Sequence, residues 1–563
     1  MRFLFLINLL LSTLISQINI RGQATLGLGN SKNNFNYSEH RLDLNLDWNQ
    51  WSGWLELEYA NPPELGRDFI GLRKFRLEYL NNNTTIKFGD LYEFWGRGLI
   101  LNMIDDQSID LDNGITGALY NWSNNVLGFE ILAGKQNVWR LSNQAPNFND
   151  RVPNYKIKND IYGGRTLFSY EALSGSLQLL KIIEDHFDPA LDTNKDIDHE
   201  LMGFDINYFG NDFDVGIDYV KKDNIGYGLY SNINLYIQSW VIGLSYKNYN
   251  FSKRSPFSRW DFVNNTGGAT ILQQMPTAFN EHSTKLLGKI THIMDYNDDV
   301  GYNLSLTGSI FNDTYFSLNY SSSSRHSEWA TDESFNWKQY RTVSSFPSND
   351  ALFNPFKELL IELDGQLFNN KLNYITALAF TEDVLDVFSN DYTKNDHTYS
   401  YEFLEAVSFP NQFTYSLTDK YSIDIKFEYQ EIKKGVQQKA ALSESGTFIS
   451  NYLKNKQINR FVSLGIARSP KWSINLGLDY SNTDERVVID NKRQQNEIEK
   501  IFGGLWDTSL TWASLELSYN INDNNRLSFT YGSLRGGVHC SNGVCRYIQP
   551  FENGLKFSLV SAF

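Results

Sequence analysis

The sequence predicts an all-β fold, a single large antiparallel transmembrane β-barrel. Three observations carry that expectation: two-residue alternation recurs along the chain, an export leader opens it, and its last strand ends on an aromatic residue. In 554–563, Leu555, Phe557, Leu559, Ser561 and Phe563 fall on one face, and Lys556, Ser558, Val560 and Ala562 on the other. A strand of that grammar is how outer-membrane barrels close.

The leader comes first. Arg2 supplies a positive start, and residues 3–15 form an apolar run broken only by Asn8, Ser12 and Thr13, the pattern of a secretory signal. Cleavage after Ser16 leaves Gln17 first, Gly22 is a second small residue that would allow it, and the barrel is expected over 17–563. No cysteine precedes Cys540, so a lipid anchor on an N-terminal cysteine is excluded.

Past the leader no apolar run reaches the roughly 18 residues a transmembrane helix needs. The 563 residues are 41% hydrophobic with a mean hydropathy of −0.41, which on averages alone suits a soluble protein. A barrel strand gives the same average, because half of it faces lipid and half the lumen. The 13 Trp, 32 Tyr and 38 Phe suffice for aromatic girdles at both membrane interfaces. A net charge of −15 repels phosphates and excludes a nucleic-acid partner. The expected partner is outer-membrane lipid, whose anionic headgroups divalent cations would bridge to acidic loops. An envelope protein or a glycan is a further candidate partner, and no oligomeric state can be read.

Alternation is legible strand by strand. Leu42, Leu44, Leu46 and Trp48 alternate with Arg41, Asp43, Asn45 and Asp47; Trp472, Ile474, Leu476, Leu478 and Tyr480 alternate with Lys471, Ser473, Asn475, Gly477 and Asp479. Candidate strands number about 26, within a range of 22–28, and the count must be even if both ends lie in the periplasm. Short connections at 81–83, 123–125, 210–212 and 470–471 take turns with long ones at 91–113, 135–160, 324–356, 432–458 and 481–506. Short turns face the periplasm and long loops face outward. Alternation begins by 18–28, which leaves no room for an N-terminal plug domain. A barrel this wide encloses water unless something fills it, and 91–113 and 324–356 are the segments expected to fold inward.

Few residues point to chemistry. Gly96 and Gly98 flank Arg97, sparing bulk on both sides of a guanidinium. Arg97 is either a constriction residue selecting cargo by charge or a brace holding an in-folded loop, with Glu56, Glu58 and Glu78 as opposing lumen charges. Cys540 and Cys545 are the only cysteines and bracket an Asn-Gly turn; an exported chain favours a disulfide, and metal binding beside His539 is the weaker reading. Asp192, Asn194, Asp196, Asp198 and Glu200 place oxygens at alternate positions of an outward loop. Ile197 and Gly203 occupy the places where a calcium loop needs glycine and a carboxylate, so the choice is a calcium site or a solvated acidic loop. Asp105, Asp106, Asp110 and Asp112 pose the same choice. No GxSxG, HExxH or phosphate-binding glycine loop occurs among the eight scattered histidines, so no enzyme is expected. No cofactor is expected apart from calcium.

KFGDLYEFWGRGLIL (87–101), DLDNGITGALY (110–120), SIDIKFEYQEIKK (422–434) and GGVHCSNGVCRYIQPFENGLKFSLVSAF (536–563) resemble an uncharacterised family of Bacteroidota outer-membrane β-barrels, a domain of unknown function. The resemblance spans nearly the whole mature chain. It implies a barrel in the outer membrane of a Gram-negative cell and assigns no activity and no functional residues. Two roles stay open: a porin-like channel or passive transporter for small polar solutes, and a non-enzymatic binding or scaffold barrel in envelope secretion or surface-polysaccharide export. Long loops bearing Trp329, Trp337 and Tyr340 suit the second.

Overall fold

The computed structural model describes residues 18–32, 35–141, 149, 151–188, 193–223, 226–251, 268–311, 313–331, 337–390, 398–440, 448–453, 456–482, 499, 510–541 and 544–563. The expected leader, 1–16, lies outside the described residues. The first described strand, from Asn19, already belongs to the barrel wall.

The wall is a closed antiparallel ring of 24 strands. Strands β1 to β5 are Asn19–Ser31, Phe35–Trp48, Trp51–Ala60, Phe69–Asn81 and Thr84–Leu91. Strands β6 to β12 are Ile115–Ser123, Leu127–Arg140, Tyr155–Tyr170, Leu173–Asp188, Thr193–Phe209, Phe213–Lys222 and Gly226–Ile237. Strands β13 to β18 are Trp240–Asn250, Asp298–Phe311, Thr314–Ser324, Phe356–Leu367, Leu372–Asn390 and Thr398–Ser416. Strands β19 to β24 are Tyr421–Ala440, Gln457–Arg468, Trp472–Ser481, Thr511–Asn522, Asn525–Leu534 and Phe551–Ala562. Each pairs with its successor, and β24 returns to β1 with Gln23 opposite Ala562 and Asn30 opposite Leu555. Closure leaves no strand edge unpaired, the condition for crossing lipid.

The expectation of about 26 strands is corrected to 24. The surplus lies in the long connections, where alternating segments pair away from the ring. Ser327–Thr331 pairs with Trp337–Thr342, Gly537–Ser541 with Val544–Ile548, and Phe448–Leu453 only with the upper end of β19.

Side-chain parity sorts the wall. Leu177, Leu179, Met202, Ile206 and Leu304 are exposed on the outer face, an apolar belt that only lipid satisfies. Leu555 and Phe563 are exposed on that face of the closing strand, with Phe557 and Leu559 in the same parity. Aromatic pairs flank the short turns: Trp51 and Tyr79 at 5.0 Å, Trp122 and Phe129 at 5.7 Å, Tyr208 and Phe213 at 5.1 Å. They form a girdle at the end of the barrel that also holds Asn19 and Ala562.

Several strands outrun the bilayer. A spanning strand needs about 9–11 residues, whereas β19 has 20 and β17 and β18 have 19 each. The expected loops 135–160 and 432–458 therefore shrink, their flanks continuing as strand to Arg140, from Tyr155 and to Ala440.

The lumen is where pattern and structure part. Residues 92–114 fold inward as expected. So does 268–297, between β13 and β14, which the alternation does not mark. Leu99, Ile100 and Leu101 of the first and Leu272, Met275 and Met294 of the second are buried in one apolar cluster. The facing wall is apolar too: Leu119, Leu132, Ile161, Leu180, Leu201 and Val220 point inward into that cluster. Inward-facing side chains are apolar here because in-folded protein rather than water covers them. The two segments also interlock. Gln273 Nε2 donates to Leu99 O at 2.8 Å, Asn102 N to Leu272 O at 2.8 Å and Asn113 Nδ2 to Ile271 O at 3.1 Å.

Candidate functional site

The site is the lumen: two in-folded segments, a disulfide-closed hairpin and the space they leave. In the first segment Gly96 and Gly98 have φ of +56° and +83°, the left-handed region that glycine enters without penalty. A Cβ on Gly98 would lie 2.6 Å from Gln274 O, so its absence lets the second segment approach. Between the two glycines, Arg97 N donates to Asp218 Oδ2 at 2.7 Å, and its guanidinium reaches Asn207 Oδ1 at 3.4 Å and lies 5.7 Å over the Tyr230 ring. Next to it Trp95 Nε1 donates to Glu130 Oε1 at 2.6 Å, and Arg165 pairs with Glu130 at 3.2 Å.

Arg97 therefore sits against β10, β11 and β12. Glu56, Glu58 and Glu78 point inward, but they are not its counter-charges. Arg73 takes Glu58 at 2.5 Å and Glu56 at 3.6 Å, and Arg76 takes Glu78 at 3.6 Å. Glu56 and Glu58 on β3 face β4 directly across the sheet, and Glu78 sits two residues from Arg76 on β4, so cations of β4 reach all three carboxylates first. The acidic group on the in-folded segment faces the same cations. Lys74 bridges to Asp105 and, at 3.3 Å, to Asp112, which also accepts from the Tyr92 hydroxyl at 2.9 Å. These carboxylates bolt the segment to the wall.

Cys540 and Cys545 form a disulfide across the hairpin 537–548. Arg546 holds that hairpin to the first segment through Asp110, while Gly537 stands beside the Lys289 side chain. The hairpin thus touches both in-folded segments.

Asn194, Asp196 and Asp198 belong to strand β10 rather than to a loop. Their parity points them outward, and Asp198 pairs with Lys181 at 3.2 Å. Asp192 lies outside the described residues. Among the described residues no group of three or more His, Cys, Asp or Glu is arranged to hold a metal.

The sector walled by β16 to β23 is different. There the second segment makes a lobe, 281–292, beneath which a cavity of about 610 Å³ runs toward the short-turn end. Asn411, Gln412, Asn475, Ser463 and Ser514 give it amides and hydroxyls, and its charges are mixed: Lys285, Lys426 and Arg535 against Glu362, Glu428, Asp479 and Glu516. On the other side of the lobe lies a second cavity of about 140 Å³, lined by Lys289, Gln430 and Asn459. Arg535 lines both. It pairs with Asp479 at 3.3 Å, and Lys289 reaches the same carboxylate at 2.9 Å. Burial brings the Lys289 ammonium down to about 8, a fall that Asp479 partly offsets.

Alternation does not mark the lobe, because it is no strand. One signal was present: 251–297 separates two strands by far more than the dozen residues usual for a passive connection, and it carries His282 and His292.

A closed ring with an apolar outer belt and an aromatic girdle defines a transmembrane β-barrel of the outer-membrane kind. The chain matches the family of unknown function DUF6029 over residues 17–563 and belongs to it. No curated protein matches it. Among solved structures it is similar to the copper transporter OprC, at 11% identity and a TM-score of 0.44, over 97% of this chain and 81% of that one. The siderophore receptor PirA from Acinetobacter baumannii gives 9%, 0.42, 97% and 80%. The ferric citrate transporter FecA, unliganded, gives 10%, 0.40, 97% and 79%.

Proposed function

We propose that this protein is a non-enzymatic transport barrel of a Gram-negative outer membrane, passing small polar solutes along one sector of its lumen. The observation that carries the reading is the pair of cavities, about 610 and 140 Å³, facing each other across the 281–292 lobe with Arg535 lining both. The lumen walled by β5 to β14 is packed with apolar side chains, and the β1 to β4 side holds two separate polar cavities of about 330 and 270 Å³, so a single open, water-filled bore is not the form this passive route takes. The amide and hydroxyl lining suits uncharged or zwitterionic solutes, since opposed charges on the wall favour neither sign.

Planar-bilayer recording of the purified full chain tests this. The expected result is a mostly closed barrel with brief steps, small for its strand number. A folded barrel silent at every voltage supports the other role, a binding or scaffold barrel, which the interlocked apolar interior favours.

A further inference from the structure

Resting on that reading, we infer that residues 281–292 form a hinged gate, with both legs fixed to the strand pair β16–β17 and the tip latched to the nearby wall strands β19 and β21. The legs come first. His282 Nε2 lies 2.7 Å from Glu358 Oε1 on β16, and His292 Nδ1 lies 3.1 and 3.2 Å from the two oxygens of Asp383 on β17. Glu358 is opposite Thr381 and Phe356 is opposite Asp383 in the sheet register. The two anchors are therefore two residues apart on paired strands, close enough to act as one pivot. Packing fixes the second leg further: the His292 ring stacks on Phe356 at 4.3 Å and meets the edge of Phe279 at 5.6 Å.

The tip reaches β19 and β21, two and four strands farther round the wall. Glu428 on β19 accepts from Lys285 N at 2.9 Å and Leu286 N at 2.7 Å, one proton to each carboxylate oxygen. Gln430 Nε2 donates to Leu286 O at 3.1 Å, and Lys289 pairs with Asp479 on β21. Apolar contact at the tip is confined to two small clusters, Leu287 with Leu360, Ala377 and Ala379, and Ile290 against these and against Leu404, Ala406 and Ile432. This contrasts with 92–104 and 268–280, which share the large lumen cluster. Segments with few buried apolar contacts open at lower free energy than the core around them. Space for movement exists on both sides of the lobe, and its outer face is backed by the disulfide hairpin at Gly537.

Hydrogen exchange of the full chain in lipid nanodiscs tests the gate without relying on conductance. In the wild type, amides of 283–290 are expected to exchange faster than those of 92–104; equal protection of the two overturns the gate. Glu428→Ala removes the acceptor of two tip amides, and Leu287→Ala removes one apolar anchor of the tip. Each is expected to raise exchange in 283–290 about tenfold or more, the size of losing a charge-assisted hydrogen bond or a buried leucine, while 92–104 stays protected. Unchanged exchange in both variants overturns the gate. Faster exchange with a higher open probability supports gate and route together. Faster exchange in a barrel that stays electrically silent supports the gate and overturns the solute route alone.

Discussion

Arg546 Nη1 donates to Asp110 Oδ2 at 2.8 Å across 436 residues of sequence. The same side chain donates to Ile109 O at 3.1 Å and Arg151 O at 3.0 Å, so one guanidinium joins the last hairpin to two earlier loops. Burial pushes the Asp110 carboxyl above its ordinary value, and Arg546 works against that push.

Arg546→Ala leaves a partly buried carboxylate and two carbonyls without this donor. The expected cost is about 2 kcal/mol, because a charge-assisted donor is removed from acceptors that water reaches only in part. It should fall locally, as faster exchange in 537–548 with the ring of strands intact. Undiminished protection of the hairpin would mean that the disulfide alone holds it.

Leu99→Ala distinguishes a packed lumen from a watery one. Leu99 is fully buried among in-folded and wall side chains, so its truncation should cost about 3 kcal/mol through lost transfer and a residual cavity. Leu177 is exposed on the lipid face; acyl chains can fill the space it leaves, and Leu177→Ala should cost markedly less. Equilibrium unfolding from lipid vesicles compares the two, and equal costs would contradict a lumen core.

The wall was legible in the sequence for the reason that makes it a wall. Alternation at Leu555 to Phe563 or Trp472 to Tyr480 records that lipid touches every second side chain, and the short turns stood where they were expected. In-folded segments leave no such periodic record. Leu99 and Leu272 share one cluster although 173 positions separate them, and nothing local tells a buried loop leucine from an exposed one. Counter-charges are illegible for the same reason. The Gly-Arg-Gly spacing identified Arg97 as a residue needing room, but which wall it meets depends on how the loop crosses the lumen.

Because Arg97 is spent on Asn207, Tyr230 and the β10 to β12 wall, it should not set charge selectivity. Arg97→Lys is expected to leave the reversal potential in a salt gradient unchanged while lowering stability by about 1 kcal/mol, the net worth of a guanidinium contact that an ammonium cannot reproduce. A selectivity change from this conservative variant would place Arg97 on the solute path after all.

Lys289 makes the gate pH-dependent in a direction that the ion pair alone would not suggest. Burial lowers its ammonium from 10.5 to about 8 in the closed lobe, whereas an open, hydrated lobe restores the ordinary value near 10.5. Between those two limits the open form binds more protons than the closed one. Closure therefore strengthens as pH rises through that window. Below it Lys289 is charged in both forms, and the closed lobe carries the desolvation cost, eased by Asp479 and increased by the like charges of Arg535 and Lys285. A spin label at Ser283, on the cavity side of the lobe, should become less mobile between pH 8 and 10.5, and Lys289→Met should flatten that response. A label that loosens over the same range would show that losing the Asp479 pair outweighs relief of the buried charge.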